Sequence, residues 1–165
     1  MKLPWLFVCA VLLPLSAFGA APDLSSAQSV DVYHLASPTE PHIAIPKTFH
    51  GSFVLSGPKR LSKSAASAIA HDLKLIYPID WPPLNCPFVA RCGVRFHFAN
   101  GKNLDLLLSP SCGEVHFLTG GQLRRADMNG YREDLLRRLN QLFPGEPFQA
   151  KKSKRPLQPT VPFGN

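Results

Sequence analysis

Three neighbouring segments alternate between apolar and polar positions. Val94, Phe96 and Phe98 alternate with Arg95 and His97; Leu104, Leu106 and Leu108 with Asp105 and Leu107; Val115 and Phe117 with Glu114 and His116. A two-residue period is that of a half-buried strand. Asn100-Gly101-Lys102 and Pro110-Ser111-Cys112-Gly113 supply the turns between them. A one-residue slip would carry the apolar positions to the wrong face. Keeping them together pairs 98 with 104, 96 with 106 and 94 with 108, then 108 with 115 and 106 with 117. The first turn then closes as a short loop with a bulge at Gly101, and the segments form a three-stranded antiparallel meander with one apolar face.

Other elements flank it. His50-Gly51-Ser52-Phe53-Val54-Leu55 has strand character and ends at Gly57-Pro58. Ser62 can cap a helix carrying Ala66, Ile69, Ala70, Leu73 and Ile76-Tyr77 on one stripe, stopped by Pro78. A second helix over 130–142 places Tyr131, Leu135, Leu139 and Leu142 on its stripe, after Asn129 as cap. Its acidic first turn, Glu133 and Asp134, and basic last turn, Arg137 and Arg138, match the helix dipole. The pattern predicts an α+β fold over residues 48–143: a small two-layer domain, a three-stranded antiparallel meander plus one further strand, packed by two helices in the order β-α-β-β-β-α. Residues 20–47 hold four prolines and predict a flexible Pro-rich leader, with Val30-Asp31-Val32-Tyr33 as an edge strand at most. Residues 144–165 predict a disordered basic tail.

The first residues change the picture of where this domain works. Lys2 precedes an apolar run from Leu3 to Leu15, and Ser16-Ala17-Phe18-Gly19-Ala20-Ala21 offers small residues for cleavage. Residues 1–19 therefore predict a signal peptide cut after Gly19, with Ala21 as second choice. An uncleaved anchor or a lipoprotein cut at Cys9 fits less well, because the run is short, carries Pro4 and Pro14, and has bulky Phe7 and Val8 before Cys9. Export to the periplasm or secretion follows, with no transmembrane segment after cleavage. The 146 remaining residues hold seventeen Lys and Arg against eleven Asp and Glu, a formal charge of +6. That balance favours an anionic envelope surface or an acidic protein partner, and the compartment argues against nucleic acid.

Three cysteines remain: Cys86, Cys92 and Cys112. All are expected at one end of the sheet, so one disulfide closing 86–112 or 92–112 is predicted, with one thiol left over. The spacing lacks the close pairs of zinc modules and there is no Cys-x-x-Cys, so neither a metal nor another cofactor is expected. Arg95, His97, Asp105, Glu114 and His116 share the polar face of the meander, with His97 across from Asp105. Such a pair is half of many catalytic arrangements, yet no nucleophile completes it, and a solvated face with one cross-strand pair accounts for it. No catalytic residue is assigned. Arg124, Arg125, Arg137 and Arg138, with Lys151 to Arg155 in the tail and Trp81 in a Pro-rich loop, are the candidates for partner binding.

Between Cys86 and Phe117 the chain resembles a loose group of small exported or lipid-anchored bacterial proteins of uncharacterised function. Their Cys-Phe-x-Pro-Arg-His and Ile-Cys-Phe-x-Cys segments correspond to Cys86 through Arg95 and Leu104 through Cys112. His50-Gly51 through Gly57 is similar to their His-Gly opening. Cys92 stands at the group's histidine position and Ser109 at one of its cysteines, which implies a rearranged disulfide. The resemblance implies the element order and the cysteine cluster, and no activity. The functional expectation is a non-catalytic exported binding protein, of the inhibitor or immunity type, acting on an envelope component. The alternative is a thiol- or metal-dependent envelope enzyme using His97, Asp105 and His116 or the cysteines.

Overall fold

The computed structural model describes residues 23–36, 47–74, 76, 85–128, 130–145 and 148. Seven strands form one antiparallel sheet: β1 (Ser29–Leu35), β2 (Thr48–Phe49), β3 (Ser52–Arg60), β4 (Cys92–His97), β5 (Asn103–Ser109), β6 (Glu114–Thr119) and β7 (Gln122–Asp127). Their spatial order is β2-β3-β1-β4-β5-β6-β7. Two short helices, α1 (Lys63–Lys74) and α2 (Arg132–Leu142), accompany it. The expected meander plus one strand is thus corrected to a seven-stranded antiparallel half-barrel.

The largest correction is β1. Its residues fall in the segment expected as a leader, yet it lies between β3 and β4 and buries Val30, Val32 and Leu35. Its Val-Asp-Val alternation carried the signal, but the surrounding prolines outweighed it. β7 escaped notice because Gln122-Leu123-Arg124-Arg125-Ala126-Asp127 has little apolar content, as suits the last strand of a sheet. β3 runs on through Gly57-Pro58 to Arg60. There Gly57 has φ +105, and a Cβ would stand 2.7 Å from the Val32 carbonyl oxygen, so only glycine lets the two backbones meet.

The apolar face forms the main core. Val32, Val94, Phe96, Leu104, Leu106, Leu108, Val115 and Phe117 pack against Ile69 and Leu73 of α1 and Leu135 and Leu139 of α2. On α1 the stripe holds through Ile69, Ala70 and Leu73, but the helix ends at Lys74, so Ile76 is buried beyond it, and Tyr77 lies outside the described residues. On α2 Leu135 and Leu139 are buried as expected, while Tyr131 is exposed before the helix begins and Arg137 and Arg138 fall short of its last turn. The Ser62 hydroxyl accepts from the Ala65 N–H at the start of α1, as a cap should. β5 and β6 pair as expected, Leu108 with Val115 and Leu106 with Phe117. Between β4 and β5 the register is two residues tighter: Phe96 faces Leu104 and Val94 faces Leu106. The turn decides this, since the Phe98 N–H donates to Lys102 O and Gly101 takes φ +74. A slip of two leaves every side chain on its own face, so alternation alone could not detect it. Among the described residues, no helix is long and apolar enough to cross a membrane.

Candidate functional site

On the sheet face opposite the helices, three buried carboxylates each hold a histidine and an arginine. Asp31 on β1 accepts from Arg60 Nε and Nη2 at 2.9 and 3.0 Å, and from His97 Nε2 at 2.9 Å. Asp105 on β5 accepts from Arg95 Nε and Nη2, both at 2.7 Å, and from His50 Nε2 at 2.6 Å. Glu114 on β6 lies 2.7 Å from His116 Nε2, with Arg125 Nε 3.7 Å away. The alternating pleat puts those on strands on one face, and His50 joins them from the β2–β3 turn. A carboxylate has only acceptors, so each imidazole must donate from Nε2.

These contacts reach into the acids' ionisation. Hydrogen bonds from Arg60 and, after burial's opposing effect, from His97 hold the Asp31 carboxyl below its ordinary range. Burial alone would raise Asp105, but the bonds from Arg95 and His50 together reverse it, and its pKa is also lowered. Bonding to Asp105 raises the Arg95 guanidinium in turn.

His50 reaches Asp105 only because the sheet folds over. In a flat sheet β2 would lie about 14 Å from β4 and about 19 Å from β5. Yet the Phe49 ring sits against Gly93 of β4, where a Cβ would stand 2.7 Å from it, and over the Arg95 guanidinium at 5.2 Å. Tyr33 stacks on Phe49 with centroids 4.5 Å apart. The β2–β3 turn is His50-Gly51, with φ 47 and 79, the backbone of a tight hairpin turn. A left-handed histidine is uncommon, and here its side chain bonds Asp105.

From the other side a strap, residues 85–91, leads into β4. The Cys86–Cys112 disulfide, with Cα atoms 5.9 Å apart, ties it to the β5–β6 turn. The Val89 N–H donates to Ser109 Oγ at 3.1 Å, and the Arg91 N–H to Leu108 O at 2.9 Å. Phe88 stacks flat on His116, centroids 3.6 Å apart. Turn and strap enclose a cleft of about 460 Å³, lined by His50, Ser52, Phe53, Phe88, Leu107 and His116 among others.

The sequence candidates fare differently. Cys86–Cys112 is one of the two expected pairings, and Cys92, the free cysteine among the described residues, is buried under the helices. Burial pushes its thiol pKa well up. Arg95, His97, Asp105, Glu114 and His116 do share a face, but Asp105 pairs across with Arg95, while His97 turns to Asp31. The carboxylates and His116 on that face are buried, while the Arg95 and His97 side chains keep about a third of their surface exposed. Arg137 pairs with Asp134, Arg138 with Asp72 and Arg125 with Glu114, and Arg124 and Arg125 occupy opposite faces of β7. Residues 1–22 and 37–46, Trp81, Asn129 and residues 149–165 lie outside the described residues. Within the segment expected as a disordered tail, Phe148 is buried in the main core and its N–H donates to Asn140 Oδ1 at 2.7 Å. Asp31, His50, Arg60 and Phe88 were missed. The available signals were the Val-Asp-Val alternation around Asp31 and His50-Gly51 as a two-residue turn. Comparison with protein-family models, characterised proteins and solved structures finds no match for this chain.

Proposed function

We propose that this chain is a small exported, non-catalytic binding protein that recognises an envelope partner through the cleft between the β2–β3 turn and the strap. The observation that carries the reading is the pair of imidazoles, His50 and His116, on one cleft, each fixed from behind by a buried carboxylate. Polar groups locked in place before contact suit recognition, because little ordering entropy remains to be lost on binding. Asp31 and Asp105 are pushed toward the ionised form, away from the raised pKa of a general acid working near neutrality. Thiol chemistry has little footing, with two cysteines joined and the third buried. The disulfide suits an oxidising compartment.

The test is site-specific photo-crosslinking in the native cell. A photoreactive residue replaces Phe53 at the cleft rim or Tyr131 before α2; both are exposed, at 39% and 41%. One discrete adduct from position 53 and none from 131 is expected. Equal adducts from both, or none from either, would sink the reading.

A further inference from the structure

Resting on that reading, we infer that the cleft receives an organic cation, an ammonium or guanidinium group carried on an apolar stem. With Nε2–H directed at Asp105 and Glu114, the neutral form of each imidazole presents its lone pair at Nδ1. Nδ1 of His50 and His116 has no partner among the described residues, and both histidines line the cleft. Ser52 adds a hydroxyl. No lysine, arginine, aspartate or glutamate is among the described lining residues.

The other described side chains of the wall are apolar: Phe53, Phe88, Val89, Ala90, Ala36 and Leu107. Lone pairs and aromatic rings both attract positive charge, and the rings do so most strongly where water is thin. An anion would find no lysine or arginine among the described lining residues, and would have two carboxylates behind the histidines. The volume, about 460 Å³, lies within the range of small-molecule sites. A free amine and a lysine or arginine side chain of a partner share this chemistry.

The experiment follows the imidazole ring signals of the full mature protein by NMR at neutral pH. Benzylamine, N-acetyl-lysine-N-methylamide and benzoate are titrated in turn. Benzylamine is expected to shift His50 and His116 saturably, and benzoate to leave them in place. If the lysine derivative also binds, a partner side chain is the source; if only benzylamine does, it is a free amine. His50→Ala should weaken benzylamine binding about tenfold. Phe53→Ala, at an exposed position that spares the fold, should weaken it about two- to fivefold. Preferential binding of benzoate, or no saturable shift with either amine, would overturn the inference. Since crosslinking at position 53 does not depend on the ligand's charge, its success beside such a failure would leave the binding reading standing.

Discussion

Asp105 shows how much one side chain can organise. It lies on a central strand, yet its two oxygens join β4 through Arg95 and the β2–β3 turn through His50. Asp105→Asn removes the charge from a mostly buried pair and is expected to cost about 2 kcal/mol in urea unfolding, below the full buried-pair value because Arg95 is partly exposed. Asp134→Asn breaks an exposed pair with Arg137 and should cost at most a few tenths of a kcal/mol. Equal losses from both would contradict the account. Cys92 makes a different prediction. With no exposed surface and a thiol pKa pushed up by burial, it should resist iodoacetamide in the native protein and take one label after non-reducing denaturation. Intact mass reads this directly, and a mass matching residues 20–165 or 22–165 would establish cleavage of the leader at the same time. Three labels would remove the disulfide.

At the scale of elements, the β2–β3 hairpin acts as a cover whose seat is Gly93. Phe49 occupies the space a Cβ would need, and the next residue is His50. Gly93→Ala is expected to destabilise the fold by about 1–3 kcal/mol through overpacking. It should also move the His50 imidazole signals while leaving those of His97, on the far end of the same strand, largely in place. A shift at His97 as large as at His50 would mean general loosening instead. The strap is the second cover. Its disulfide closes a loop with a sequence separation of 26, which gives about 3 kcal/mol by loop-closure entropy. Reduction should lower the melting temperature and loosen Phe88 from His116, visible as a change in ring-current shifts at that histidine.

For the whole molecule, the row of carboxylates links folding to pH. Asp31 and Asp105 have folded pKa values below the ordinary 3.8, so the unfolded chain takes up protons first as pH falls. Their contribution is therefore complete above the ordinary value and is lost as pH drops through the lowered folded values. Urea midpoints should stay flat down to about pH 5 and then fall with acidity. Asp31→Asn should flatten that fall, and an unchanged slope would show that the acid sensitivity lies elsewhere. The same row turns a face expected to be wet into a second, smaller interior, with Leu35, Phe49, Val54, Ala90 and Leu107 packed around it.

Much of this was legible in local pattern. Alternation identified β4, β5 and β6 and their inward positions, helical periodicity identified α1 and α2, and the expected gathering of three cysteines at one end of the sheet left two pairings, each with Cys112. These features depend on neighbours in sequence, which is why a single chain displays them. What the tertiary structure decided was long-range. Alternation cannot separate registers that differ by two, so whether His97 meets Asp105 or Asn103 was settled by the turn at Gly101. No local signal places β1 between β3 and β4, because a strand flanked by prolines looks the same whether it is free or inserted. The cleft itself arises from the fold-over that brings His50 to Asp105 across 55 residues of sequence, and only a sheet curled in three dimensions can make that contact.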